Sequence, residues 1–552
     1  MLRRLRFLPF GLLVLRALAP ASTVSAAAPA QESPDAACAR CHQAIYDSYQ
    51  KTPMAQASGA ATDGLLPGEF THATSGVRYR LFLRDGQAWL SYDRPHAPPG
   101  RDLNGEQELA YFIGSGQRGR TYLFQKDGYW FESPVNWYSK QQVWDMNPKS
   151  LGVREMPFTL KIDAGCLHCH ATAVQPSLPG ARNHFAAQPF LFAGITCRSC
   201  HGDPAAHLAS GGSAPILNPA KLPPAKRDSV CLQCHLEGET AVNLSGRSLA
   251  DFLPGEDLSD YVTHFVHAGE LGPQGRATSQ WEALLQSECK RKSGDRLTCT
   301  TCHAPHSSPA AEQRVSYFRS RCLTCHGAPS FVSKHHPDQP NCSGCHMPRE
   351  KSGDVAHEQV TDHRIQRRPT ILLDQAAAHT GDLTVVGGGS ASDRALGLAY
   401  FQFAQGGDEQ AGRRAMQLLQ QAERRGGEEG DPDLHTALGF MDQVAGDRQA
   451  AVREYQAALR ANPADSVAVG DLAILQARAG DPKAAIAGLR WVSEHDPGDT
   501  SASLDLALIE CAIGDPRTAK AVLEHLLEFS PDDGKARQAL ASIESKPEHC
   551  GR

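Results

Sequence analysis

Two stretches in the first third of the chain alternate apolar and polar residues. Val77, Tyr79 and Leu81 enclose Arg78 and Arg80, and after Leu83 the pair Asp85-Gly86 turns the chain into a second run, Ala88 to Tyr92. Ala110 to Ile113, Thr121 to Gln125 and Tyr129 to Glu132 repeat the pattern, the last two joined by Asp127-Gly128. Period-two alternation on both sides of Asp-Gly predicts β-hairpins. Trp89, Trp130, Trp137 and Trp144 fall in the same stretch. The pattern predicts a small β-rich insert of at least four strands over about 68–145. Gly114, Gly116 and Gly119 match a dinucleotide-binding fingerprint, but that fingerprint needs a helix next. Arg120 to Phe124 reads as a strand, so the glycines predict a turn.

Beyond Asp393 the pattern changes to a repeat. Gly446-Asp447, Gly480-Asp481 and Gly514-Asp515 are 34 residues apart, as are Ala451, Ala485 and Ala519, and Pro463, Pro497 and Pro531. Leu438, Leu472 and Leu506 keep the same register, and a degenerate fourth unit spans Asp393 to Arg425. Period, small residues and closing proline resemble the tetratricopeptide repeat. Each such unit is a helix hairpin that buries its apolar face on its neighbours. The repeats predict an α-solenoid over 393–545, joined by a linker at 381–392 that contains Gly387-Gly388-Gly389-Ser390.

The N-terminus carries Arg3, Arg4 and Arg6, an apolar run from Phe7 to Leu18 broken by Arg16, and small residues at Val24-Ser25-Ala26. This reads as a signal peptide over 1–26, too short to span a bilayer. No later run is long enough to cross a membrane. Losing four arginines moves the formal charge from −6 to about −10. An acidic chain is a poor ligand for nucleic acid and a reasonable partner for basic patches on other redox proteins.

Cysteine usage settles the chemistry. Seven times the chain spells Cys-x-x-Cys-His: Cys38/Cys41/His42, Cys166/Cys169/His170, Cys197/Cys200/His201, Cys231/Cys234/His235, Cys299/Cys302/His303, Cys322/Cys325/His326 and Cys342/Cys345/His346. The pentad is the attachment site of haem c: two thiols form thioethers with the vinyl groups, and the histidine ligates the iron. Zinc sites also use Cys-x-x-Cys pairs but do not require histidine after every pair. Seven covalent haems c are expected within 27–380. Many neighbouring motifs lie only 20 to 34 residues apart. So little chain leaves porphyrin as most of the core, wrapped in short helices and loops.

Thirteen histidines before residue 380 lie outside the proximal positions. Those near motifs are candidate sixth ligands: His184, His207, His306, His335, His357 and His363. His168 lies inside a motif and is read as structural, as are His72 and His96 in the insert. His264 and His267 stay open, and His379 is assigned to the linker. Met54 follows the first motif closely and is a candidate thioether ligand, which would raise that haem's potential. Of the three other cysteines, Cys289 is unassigned, Cys511 is read as repeat core, and a Cys511–Cys550 disulfide is open to an oxidising compartment but not assigned.

The stretches Gly194 to Gly202 and Leu297 to His306, and the ending His357 to Pro369, resemble multihaem cytochromes of the cytochrome c-554 type. The resemblance spans about 35–370 and implies a haem scaffold, with no substrate. In that family an aromatic and then Ser-x-His, the distal ligand, often follow the first motif. Here Tyr49 is followed by Met54 where that histidine would stand.

The expected fold is mainly α: a loop-rich multihaem cytochrome c domain with a β-rich insert, then a solenoid of tetratricopeptide-like hairpins. The expected function is an exported, periplasmic electron carrier that exchanges electrons with other redox proteins and docks a protein partner on its repeats. The alternative is an oxidoreductase acting on a small nitrogen or sulfur compound at an open haem. The Cys-x-x-Cys-Lys motif of specialised nitrite reductases is absent.

Overall fold

A computed structural model describes residues 34–268, 279–335, 338–349, 361–367, 381–426, 430–547 and 550. The expected signal peptide lies outside the described residues. Among these residues no helix is long and apolar enough to cross a membrane.

The alternating stretches form two antiparallel sheets, and they extend further than the sequence indicated. One sheet has four strands in chain order: Gly68–Thr71, Arg78–Arg84, Gln87–Asp93 and Asn104–Leu109. The other has six, built around Gly119–Lys126 and Tyr129–Tyr138, with Ser58–Ala60 at one edge and Leu160–Lys161 near the other. Both Asp-Gly pairs turn as expected. Asp85 and Gly86 have φ of 53° and 77°, Asp127 and Gly128 of 50° and 89°. Two successive positive φ values match the twist of the flanking strands, and Asp-Gly tolerates them. Tyr79, Leu81 and Leu90 of the first sheet meet Phe124, Phe131 and Trp144 of the second in one core.

The 34-residue period becomes four helix hairpins: Asp393–Gln405 with Glu409–Arg425, Pro432–Ala445 with Arg448–Ala461, Ser466–Arg478 with Pro482–His495, and Thr500–Ala512 with Pro516–Phe529. A last helix, Gly534–Ser545, covers the end. The Gly-Asp column now has a reason. Gly446, Gly480 and Gly514 end the first helix of each hairpin at φ of 86–87°. Asp447, Asp481 and Asp515 then cap the second, accepting the backbone N–H three residues on. Ala451, Ala485 and Ala519 are fully buried where the helices touch. Cys511 and Cys550 are joined in a disulfide, a pairing the sequence left open.

Both ends of the solenoid are committed to the rest of the chain. At the start, residues 381–392 are not a free linker. Leu383–Val385 adds a third strand to Thr240–Asn243 and Val262–His267, and this sheet packs on helix Asp393–Gln405. Arg394 donates to the Asn243 carbonyl at 2.7 Å. At the far end, Arg94 donates from both terminal nitrogens to the Asp532 carboxylate, at 3.0 and 2.5 Å. The two side chains are 5% and 0% exposed. Asp532 also accepts the Met156 N–H at 2.8 Å. Phe529 enters the β core against Tyr129 and Phe131, and Lys161 pairs with Asp496 at 2.6 Å. The expectation that repeats bury their faces only on one another therefore fails at the first hairpin and again from the end of the third hairpin onward.

Two predictions follow from these junctions. Asp532→Ala leaves Arg94 buried without its partner, which costs about 3–5 kcal/mol. Urea denaturation followed by far-ultraviolet circular dichroism should show that loss, and an unchanged midpoint would remove the energetic role of the junction. His264, 7% exposed in the three-stranded sheet, is pushed down to about 4 by burial. The folded protein then binds fewer protons than the unfolded chain, whose histidines titrate near about 6.5. Its contribution is complete above that pH and is lost as pH falls towards 4, by about 3 kcal/mol at most. His264→Phe should flatten the stability profile in that window.

Candidate functional site: one cavity shared by seven motifs

The motif region builds its secondary structure in fragments. Helix Ala36–Tyr49 breaks at His42, whose φ and ψ of −118° and 38° are not helical. Other motifs sit on short helices such as Arg198–His201, Cys299–Cys302 and Cys342–His346, or end longer ones such as Pro224–His235 and Arg314–His326. Helices Arg314–His326, Pro329–Val332 and Cys342–His346 hold no buried residue, so these segments do not pack a core from their own side chains.

Residues of all seven motifs line a single cavity of about 3360 Å³. Single-ligand pockets hold about 300–1,000 Å³, so this volume suits several large groups. All seven proximal histidines and thirteen of the fourteen motif thiols lie on its wall; Cys166 does not. The fourteen thiols are free, although the same chain joins Cys511 to Cys550.

Thiols of different motifs meet. Cys38, Cys197 and the carboxylate of Asp35 lie within 4.8 Å of one another. Cys169 contacts Cys234, Cys231 contacts Cys299, and Cys322 contacts Cys342. Burial raises Cys302, and the charges of neighbouring Cys289 and Cys325 add to that. Asp35 is 2% exposed and accepts the Cys197 N–H at 3.0 Å, fastening the first motif to the third. Gln233, inside the fourth motif, donates to the Ser199 carbonyl of the third at 3.2 Å. Neither role was visible in the sequence.

Four imidazoles are fixed in one tautomer by backbone carbonyls. Nδ1 of His201, His207, His346 and His363 lies 2.7–2.8 Å from the carbonyl oxygens of Leu217, Ala214, Gln366 and Thr361. A carbonyl only accepts, so Nδ1 carries the proton and Nε2 keeps its lone pair, the usual arrangement of a metal-ligating histidine. Burial lowers His235, His303, His306 and His363, which favours the neutral form that ligation needs.

Three pairs of rings face one another: His201 with His306 at 6.0 Å between centroids, His303 with His363 at 6.3 Å, and His346 with His335 at 5.8 Å. Their planes are 14°, 27° and 20° apart. An iron about 2 Å from a nitrogen of each ring, with a ring radius of about 1.1 Å, separates centroids by about 6.2 Å. A direct N–H···N hydrogen bond would bring them to about 5.2 Å. The residues present thus fit haem c.

The cavity brings together some predicted ligands and leaves others out. His207, His306, His335, His363 and Met54 line it. His184 does not, and is corrected here: it lies on the β-rich module with its ring 4.3 Å from that of Tyr129. Only thirteen residues separate it from Cys197, but the strand Phe190–Ala193 spans that interval and carries it away. His357 lies outside the described residues. His168 faces the cavity, but its Nε2 lies 2.9 Å from the Gln233 side-chain oxygen. His72 has both nitrogens within hydrogen-bond reach, of Ser75 and Leu151, and His267 pairs with Glu239 at 2.6 Å. Tyr49, 7% exposed, meets the His306 ring edge-on at 6.4 Å, so the helix of the first motif supports a candidate ligand of the third.

Two family models match parts of the chain. The model for cytochrome c554 and c-prime matches residues 136–202, which include the second and third motifs. The tetratricopeptide-repeat model matches residues 477–543. No curated protein matches the chain. Among solved structures, a MamA mutant is 20% identical over 28% of this chain and 87% of its own, with a TM-score of 0.25. A tetratricopeptide repeat protein from Parabacteroides merdae is 19% identical over 27% and 59%, with a TM-score of 0.24. YrrB, described as a TPR protein with an unusual peptide-binding site, is 22% identical over 27% and 72%, also at 0.24. The chain therefore contains a c554-like cytochrome segment and tetratricopeptide repeats.

Proposed function

We propose that this chain is an exported, periplasmic c-type cytochrome that carries seven covalent haems and passes electrons between other redox proteins. One observation carries the proposal: residues of all seven motifs border one cavity, with thiols of different motifs in contact. Bound haem supplies a reversible one-electron iron couple. The protein's part is to hold these groups close and keep water from them. Thiol contacts support a spatial order in which the first motif neighbours the third and the fourth neighbours both the second and the fifth. The sixth neighbours the seventh, and Cys302 and Cys325 link the fifth to the sixth.

Six of the eight arginines on the cavity wall support haem as the occupant. Arg40, Arg198, Arg314, Arg319, Arg321 and Arg349 line the wall, and none has a carboxylate partner among the described residues. Porphyrin propionates would neutralise them, since arginine is well shaped for carboxylates. The repeats remain the surface for a protein partner, with the first hairpin and the turns after the third and fourth already engaged within the chain.

Ligand supply favours the second reading, catalysis at an open iron. His306, His363 and His335 suit the irons of the third, fifth and seventh motifs. That leaves His42, His170, His235 and His326, for which the described cavity wall offers His207, Met54 and Met347, and His168, whose Nε2 is engaged by Gln233. His336, His357 and His379 lie outside the described residues. Each iron without a sixth ligand is a position for a small molecule.

Electron paramagnetic resonance of the oxidised protein separates the readings. A pyridine haemochrome assay should give seven haems per chain; five or fewer in matured protein would sink the count. His306→Ala, His363→Ala and His335→Ala should each add one high-spin ferric signal, whereas His184→Ala and His168→Ala should add none. An unchanged spectrum for the first three would dissolve the proposed axial pairs. Met54→His should lower the highest midpoint potential if the thioether ligates.

A further inference from the structure

One pair of positions, one on each helix of a hairpin, can be followed along the array. In the third unit Val469 meets Gly488: a Cβ on that glycine would lie 3.6 Å from Val469 Cγ1. One period later the same positions hold Ser503 and Val522; the first hairpin, whose capping residues Ser392 and Asp408 lie 39 residues before Asp431 and Asp447, holds Leu396 and Ala415 there. The second unit differs. There the positions hold His435 and Glu454, and Glu423 reaches them from the preceding hairpin.

The three residues come from three helices, Glu409–Arg425, Pro432–Ala445 and Arg448–Ala461. One ligand-capable atom of each lies within 4.8 Å of the others. His435 is 9% exposed, Glu454 half-buried and Glu423 exposed, so the group opens to solvent on one side. His435 Nδ1 lies 2.8 Å from Glu454 Oε2. Asp442 adds a third carboxylate: burial raises it first, and the charges of Glu454 and Glu423 contribute. Among the described residues neither Glu423 nor Glu454 is paired with a lysine or arginine, and Arg453 is the one cation acting on Asp442. Packing does not call for these side chains, since the other units close the same joint with uncharged ones.

We propose that Glu423, His435 and Glu454 bind one first-row divalent cation of the zinc type, which ties the first hairpin to the second. Imidazole with carboxylates is a donor set such ions accept. Donor–metal distances of about 2.0–2.2 Å would draw the three groups together from their present spread. Water completes the coordination. The site stands apart from the haem cavity and does not depend on the electron-carrier reading.

The test uses the full-length, haem-loaded protein, stripped with a chelator and titrated with Zn²⁺. Iron and zinc are then measured by mass spectrometry on the same sample. The expected result is one zinc retained per chain, with a higher unfolding temperature. His435→Val, which installs the residue used one period later, should abolish retention with iron unchanged. Glu423→Gln should weaken binding at least tenfold without moving the zinc-free unfolding temperature. Should His435→Val lose iron, Glu454→Gln, which preserves size, makes the same comparison. Wild-type protein that retains no zinc, or variants that retain as much as wild type, would overturn the proposal.

Discussion

Thiols that anchor different motifs touch, and this contact governs the rest of the molecule. Where Cys38 meets Cys197, or Cys231 meets Cys299, the haems proposed for those thiols would lie side by side. On the proposed reading each bound haem would form much of its neighbour's environment. The polypeptide is left with the outside: brief helices that present Cys-x-x-Cys-His, and loops between them. This explains how helix Arg314–His326 buries no residue of its own and still has an ordered place. It also explains the carbonyl tethers on His201, His207, His346 and His363, since a ligand in such a shell needs its tautomer and angle fixed from behind.

A shell of this kind has little cohesion, and the rest of the chain supplies it. The β-rich module has a dense aromatic core, with Tyr79, Trp130, Phe124 and Phe131 almost fully buried. The solenoid supplies a second rigid body. Contacts at its two ends join it to that module and to the sheet between the fourth and fifth motifs, so it braces the regions that flank the cavity. A buried ion pair such as Arg94–Asp532 adds little net stability compared with an apolar contact, but it fixes one geometry, because any other leaves two charges buried and alone.

What could be read in the sequence was whatever local chemistry determines. The attachment pentads, the two Asp-Gly hairpins and the helix pairs of the repeat depend on residues within a few positions of one another. What could not be read depends on distant parts. His184 stood close to a motif in sequence, yet the strand Phe190–Ala193 separates them. Leu383–Val385 looked like linker because three residues carry no period, and its pairing with Val262–His267 spans more than a hundred residues. Cys550 follows the last helix, and only the fold of the array brings it to Cys511. Arg94 and Asp532 are 438 residues apart. Aligning the chain with itself at 34 residues would have exposed one missed feature: His435 and Glu454 fall where later units carry Val469 and Gly488.

That self-alignment also shows where a repeat protein keeps its individuality. The capping aspartates Asp465, Asp499 and Asp533 each follow a proline by two residues, and the period fixes both. The residue between them is not fixed: it is Ala464, Gly498 and Asp532 in turn. Ala464 is only half-buried. Gly498 lies against the β-rich module, where an added Cβ would fall 2.8 Å from Lys161 Cε and 3.2 Å from Phe131. Asp532 sits deepest, under Arg94. Along one column the array thus passes from a partly open residue, through a glycine that permits close approach, to a buried carboxylate that locks the joint. Positions needed to make a helix hairpin are held constant, and specific contacts are written in the columns that the hairpin leaves free.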